Sequence, residues 1–283
     1  MGDETVEREF VEAELRAVSP LTTGVPRKAP VFIDWFETLR ESGPGQRDSL
    51  FPWLAESATM AQMRWFLRQE AAGEAGFEDL VALTQVRVAT GPKLEMARNY
   101  WDEMGRGHER GMHGPMLARL VVQLGLDPTP ETTVWEALAL SNLMTALASS
   151  REFAYHSIGA LGVIEMTAPG RVTMINQGLE RLSVDLEGRK YFALHAGLDV
   201  HHSRSWNREV IKPLVEANPD VAMAIAEGAL MRLASGARCF ARYRKHFGLS
   251  ADRERLTPQF EAGHPRPPGT NSRAAIVHAD RAR

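Results

Sequence analysis

Apolar residues recur at intervals of three and four along most of the chain, the period of a helix with one buried face. The clearest stretches are Val31–Arg40, a run from Ser57 or Thr59 to Gly73, Phe77–Val88, Lys93–Met104 and the segment opening Met116-Leu-Ala-Arg-Leu. Further helical patterns cover Thr133–Ser149, Arg151–Met166, Val172–Leu182, Arg189–Ala217 and Ala222–Phe247. The breaks between them carry recognisable punctuation: Ser42-Gly-Pro-Gly, Gly91-Pro92, the glycines at 105, 107 and 111, Asp127-Pro-Thr-Pro and Asn218-Pro-Asp. No window alternates with period two between turn signals, no repeat recurs at fixed period, and no Gly-rich phosphate loop is present. The pattern predicts an all-α, single helical bundle over residues 31–248. Residues 1–30, a short amphipathic piece and then a Pro-containing loop, are expected to form a partly disordered N-terminal arm. From 249 to 283 the chain is rich in Pro, Arg and His without apolar periodicity, and is expected to be a mobile tail.

One predicted helix carries more chemistry than the others. In Tyr191-Phe-Ala-Leu-His195-Ala-Gly-Leu-Asp199-Val-His-His202, the residues His195, Asp199 and His202 stand at i, i+4 and i+7. At about 100° per residue they share an arc of roughly 60°. Phe192, Leu198 and Trp206 border that arc, so it faces inward, where polar groups need partners. A divalent metal or a hydrogen-bonded polar cluster satisfies the triplet equally well.

Composition narrows the field. The 283 residues are 44% hydrophobic with a net charge of −3, which provides a sizeable core and no field favouring nucleic acid or anionic membrane. The single cysteine, Cys239, excludes an intrachain disulfide and a Cys-rich metal site. No apolar run approaches the roughly 20 residues of a membrane span, and the acidic N-terminus is unlike a signal peptide, so the expected compartment is the cytoplasm.

Other helices supply candidates to join the triplet. Glu165 is a lone carboxylate in an apolar, glycine-containing run, Ile158-Gly-Ala-Leu-Gly-Val-Ile-Glu, and must be paired, protonated or metal-bound unless the helix ends near Pro169 and frees it to water. Its small residues Gly159, Ala160 and Gly162 invite close approach of a neighbouring helix. Glu103 shares a stripe with Met96 and Asn99, away from the charged stripe Glu95, Arg98 and Asp102. His113 follows ten positions later, about 80° round an unbroken helix. Glu70 follows Met63, Phe66 and Leu67 on an apolar face, as an added ligand or base or as the polar edge of its helix. His156, four after Glu152, reads as a surface pair, and Arg204 and Arg208 read as a solvated basic stretch. Glu261-Ala-Gly-His264 has ferritin-like ligand spacing but sits in the Pro-rich tail, and no His-Glu-x-x-His occurs.

With Asp102-Glu103-Met-Gly-x-Gly…His113, Glu165 thirty residues before His195, and His195-x3-Asp199-x2-His202, the chain resembles the haem-oxygenase-like diiron oxidases and oxygenases over about residues 60–247. The resemblance implies a bundle of about seven core helices with flexible tails at both ends. It also implies two iron ions cycling between Fe2+ and Fe3+, held by Glu103, His113, Glu165, His195, Asp199 and His202, with O2 as co-substrate. Some N-oxygenating members add a carboxylate from an earlier helix, for which Glu70 is the candidate. The implied activity is oxidation of a small amine or amino acid, N-oxygenation ahead of desaturation or C–C cleavage of an amino or fatty acid. The implied partners are that substrate and an external electron donor, with a homodimer allowed and neither nucleic acid nor membrane involved. A non-catalytic helical scaffold that keeps the fold and uses the same groups for core hydrogen bonding is the alternative of a different class.

Overall fold

The structure, a computed structural model, describes residues 2–73 and 76–249; the side chains of residues 2–4 and 198–200 lie outside the described set. The expected tail from 250 onward, including Glu261 and His264, also falls outside it. Among the described residues the helices are α1 (Gly2–Val18), α2 (Ala29–Ser42), α3 (Leu50–Glu56), α4 (Met60–Gly73), α5 (Phe77–Thr84) and α6 (Thr90–Glu103). They continue with α7 (His113–Gln123), α8 (Trp135–Ser149), α9 (Ala154–Arg181), α10 (Lys190–Ser205), α11 (Lys212–Ala217) and α12 (Val221–Phe247). No strand occurs among these residues, so the chain is all-α as its periodicity predicts.

Local chemistry places several boundaries. Thr59 and Gln62 cap α4 reciprocally, the Thr59 N–H donating to Gln62 Oε1 at 2.9 Å and the Gln62 N–H to Thr59 Oγ1 at 3.3 Å. Pro92 occupies the first turn of α6, where its missing N–H costs nothing. Gly248, at φ 68°, ends α12 behind Arg244, Lys245 and His246, which complement the negative end of the helix dipole.

The core is organised by α9. Its most extensive contacts are with α12 and then with α10. A Cβ on Gly159 would lie 1.9 Å from the Ile225 carbonyl oxygen, and one on Gly228 would lie 1.8 Å from that of His156. The two helices therefore touch backbone to backbone, the close approach that Gly159 suggested. Gly162 leaves room for the Trp206 indole, whose Nε1–H donates to the Ile158 carbonyl at 3.1 Å. Ile158, Leu161, Val163 and Met166 of α9 join one apolar cluster, with Leu143, Trp206 and Ile225. Ile175 and Leu179 join a second, with Phe66, Phe192 and Phe240. Glu165 sits near the junction of the two.

Four local expectations are corrected. Residues 1–30 are expected as a partly disordered arm, but from Gly2 on the chain is helical and packed: α1 lies on α12 and α8, Val11 and Val18 are buried, and Arg238 Nη2 donates to both Glu14 oxygens at 2.7 Å. The helices expected on either side of Pro169 are one, because α9 runs through the proline. The ring only deletes the N–H that would reach the Glu165 carbonyl, and packing on both flanks outweighs that loss. The helix expected to continue to Ala217 is interrupted by a π-helical turn at Trp206–Ile211, which seats Trp206 in the core. His156 pairs with Glu227 across the α9–α12 seam, Nε2 to Oε2 at 3.3 Å, while Glu152 binds Arg8.

Candidate metal centre

Five of the residues singled out in the sequence meet inside the bundle, on four helices. Glu103 ends α6, His113 opens α7, Glu165 lies on α9, and His195 and His202 lie on α10; all five are buried. Their potential ligand atoms form two groups, each with mutual distances within 4.8 Å: Glu103, His113 and His195, and Glu103, Glu165 and His202. Glu103 belongs to both, so its carboxylate lies between two three-ligand sets. Asp199 lies on α10, with its side chain outside the described residues.

Glu103 and His113 do not meet by rotation along an unbroken helix. The chain leaves α6 at Glu103, makes two short 3-10 turns, and returns through an antiparallel bridge between Met104 and Met112. Gly105, at φ 61°, lies where a Cβ would be 2.2 Å from the Gly111 backbone, so the loop closes only with glycine there. This closure brings His113 Nδ1 to 2.6 Å from Glu103 Oε2. The geometry at that contact is wrong for a hydrogen bond, and Nδ1 is left without a partner.

The remaining groups are aimed from outside. The His195 ring nitrogen Nδ1 lies 2.7 Å from the Tyr191 carbonyl one turn earlier; as an N–H donor there, it leaves Nε2 as the free lone pair. Its ring meets that of His113 edge to face at 4.5 Å. His202 Nε2 contacts Asp102 Oδ2 at 3.1 Å, and Asp102 is held in turn by Arg106 Nε at 2.7 Å. His202 Nδ1 then faces Glu165 Oε2 at 3.6 Å, again without a hydrogen bond. Asn99 donates from Nδ2 to Glu165 Oε1 at 2.6 Å and leaves the other oxygen toward the centre.

Electrostatics shows how crowded the site is. Burial and the neighbouring Glu165 push the Glu103 carboxyl well above the usual carboxylate range. Burial, with the charge of His202 nearby, lowers His113 to about 4; burial and His113 lower His195 to about 4. Burial acts against His202 as well, but the negative charge of Glu165 close by, with the hydrogen bond to Asp102, carries it up to about 9. Two imidazoles are thus held neutral, the form that ligates a metal, and the third is held protonated beside carboxylates in the metal-free protein. Two buried imidazole nitrogens lacking hydrogen bonds, set among carboxylate oxygens, fit a cation with N/O coordination.

Sequence reading missed the groups that orient these ligands. Asp102 reads as part of a charged stripe with Glu95 and Arg98; those two do pair, at 2.7 Å, while Asp102 turns to His202. Its position beside Glu103 was the available signal. Glu78 lines the same cavity and its charge acts on both Glu103 and His113, though nothing in its local sequence announced it. Glu70 belongs to neither ligand group; its Oε1 accepts from the Tyr243 hydroxyl at 3.1 Å on the opposite wall. His108, His201, Arg204 and Arg208 are exposed.

This all-α bundle buries two overlapping carboxylate–imidazole groups that could hold a metal through N and O ligands. Residues 64–237 match the model of the iron-containing redox enzymes. The chain belongs to that family, the one its sequence resembles. A nitrosourea synthase from Streptomyces achromogenes subsp. streptozoticus is 28% identical over 124 residues, which is 42% of this chain and 26% of that protein. The match therefore spans about a quarter of the relative's length. Two crystal structures of a CADD-like protein of unknown function from Nostoc punctiforme align over 77% of this chain and 97% or 95% of theirs. They share 16% identity with TM-scores of 0.60 and 0.59, a likeness of fold alone. A domain of unknown function with a heme oxygenase-like fold from Shewanella denitrificans aligns over 81% of this chain and 95% of its own at 14% identity, with a TM-score of 0.48. Among the described residues no helix is long and apolar enough to cross a membrane.

Proposed function

We propose that the protein is a non-haem diiron oxygenase or oxidase that oxidises a small amine or amino acid, with nitrogen as the favoured site of oxidation. The observation that carries this reading is the double membership of Glu103: one carboxylate lies between Glu103/His113/His195 and Glu103/Glu165/His202. A carboxylate that belongs to two imidazole-containing groups would suit two cations with N/O coordination better than a single tetrahedral zinc. The name of the Streptomyces relative adds support for nitrogen, since a nitrosourea contains an oxidised one.

When bound, two irons would supply the electrons that activate O2. The chain's own residues do the rest. Tyr191 holds His195 in one tautomer, and the Arg106–Asp102–His202 relay holds the other imidazole by its far nitrogen. Asn99 fixes the Glu165 carboxylate and neutralises part of its charge. His202 Nδ1 and Glu165 Oε2, which face each other without a hydrogen bond, would be free to hold a cation once the imidazole gives up its proton. Glu78, beside Glu103 and His113, is better placed than Glu70 to add a carboxylate. Phe77, Leu117, Ile164 and Phe192 line the cavity next to these groups and keep bulk water from them.

The test is metal analysis with a spectroscopic readout. Protein loaded with Fe(II) without oxygen should hold about two irons per chain and show a transient visible absorption on mixing with O2. A small amine or amino acid that speeds the decay of that absorption, and returns with an oxygen on nitrogen, identifies the substrate. One iron or none, with no transient, would overturn the reading. Oxidation at carbon instead would retain the centre and replace N-oxygenation by desaturation or C–C cleavage.

A further inference from the structure

The cavity that opens beside Glu103, His113, Glu165 and His195 has a second wall, formed by α12. Arg232, Cys239, Phe240 and Tyr243 line it from that helix. Arg232 is 9% exposed, and among the described residues its guanidinium makes no hydrogen bond and no ion pair. None of its nitrogens is among the fully enclosed unpaired atoms, so the guanidinium opens onto the cavity, whose lining also includes Glu70. Arginines largely withdrawn from solvent are usually paired. The other buried or half-buried arginines near this cavity follow that rule: Arg171 donates to Thr167 Oγ1 at 3.0 Å and lies over the Phe51 and Phe240 rings, and Arg181 is bound by backbone carbonyls of α3 and the turn after it.

The local sequence makes room for this exception. A Cβ on Gly236, one turn on from Arg232, would stand 2.8 Å from Arg232 Nη1, so the guanidinium lies back over a glycine. A larger residue there would displace it. The cavity thus has a carboxylate–imidazole end and, on another wall, an unanswered cation whose forked donors match a carboxylate in two-point geometry.

We propose that Arg232 binds the carboxylate of the substrate, which makes the substrate an amino acid rather than a simple amine. The carboxylate sits against α12, and the amine is left to reach toward the Glu103, His113 and His195 end. The carboxylate-binding half stands on Arg232 alone; only the placing of the amine rests on the proposed diiron function.

Binding to the metal-free full-length protein tests it without any turnover. Titration calorimetry with the proteinogenic amino acids, each paired with its decarboxylated amine, should find an amino acid that binds about ten- to a hundred-fold more tightly than its amine, the size of a charge-assisted bond. Arg232→Gln should erase that preference and leave the amine's affinity unchanged; Arg232→Lys should restore part of it. Equal affinity of every acid and its amine in the wild type, or absence of amino-acid binding at millimolar concentration, would overturn the proposal and needs no variant to fold. An acid preference that survives Arg232→Gln would overturn it too. Arg232-dependent binding in a protein that takes up no iron would sink the diiron reading and leave this one standing.

Discussion

The two long faces of α9 differ in kind. Toward α12 it is a seam of backbone against backbone, with Gly159 and Gly228 each beneath the opposing helix and no space for a methyl group. Toward α6 and α10 it presents Glu165, facing imidazoles and carboxylates that lack a full set of hydrogen bonds. The first face is complete as it stands. The second leaves buried polar atoms unpaired, the arrangement of a candidate cation site. A rigid seam on one side is what allows the same helix to hold an electrostatically costly group steady on the other.

Breaking the seam should have the largest effect. Gly228→Ala places a methyl group inside the contact distance of the His156 carbonyl, and should cost about 3 kcal/mol or more of stability, read by urea denaturation. Iron per folded chain should change little, because no ligand is touched. Loss of iron at unchanged stability would mean that the seam and the centre are not separable.

Breaking the centre at its shared residue comes next. Glu103→Gln should lower bound iron from about two to well under one per chain, since both groups lose a carboxylate. The metal-free protein should melt no lower and gain up to about 1 kcal/mol, because a carboxyl crowded by Glu165 is relieved. Retention of one tightly held iron would show that the two groups do not share Glu103.

Asp102→Asn sharpens the comparison by leaving every ligand in place. It should weaken iron binding about ten- to a hundred-fold through His202 and barely move the metal-free melting temperature. The smallest effect is in pH. His202 has a folded pKa of about 9, above its ordinary 6.5, so in metal-free protein its contribution is full below about 6.5 and is lost as pH rises through 9. His113 and His195, lowered to about 4, act oppositely: their contribution is full above about 6.5 and is lost as pH falls through 4. The metal-free melting temperature should therefore fall by roughly 5 °C on the alkaline side, and His202→Gln should flatten that fall. Iron-loaded protein should not show it, the cation having replaced the proton.

The sequence was most legible where one helix suffices. The i, i+7 spacing of His195 and His202 on α10, the lone Glu165 in an apolar run and the close-approach glycines of α9 all depend on a repeat of 3.6 residues, which sequence carries directly. The same reasoning misjudged Pro169, because a helix buried on both sides tolerates one missing hydrogen bond that a free helix would not. It misjudged α1 because a modest apolar stripe shows its worth only when α12 is there to cover it.

What the sequence alone determined is the all-α class and the inward set of histidines and carboxylates, since both follow from short-range geometry and the cost of burying polar groups. Only the tertiary structure decided that His113 reaches Glu103 by a bridged glycine loop, that Glu103 stands between two ligand sets, that Asp102 turns inward to His202, and that Arg232 faces the cavity. Those facts depend on where helices distant in sequence come to rest. Packing sets such distances, and no local repeat encodes them.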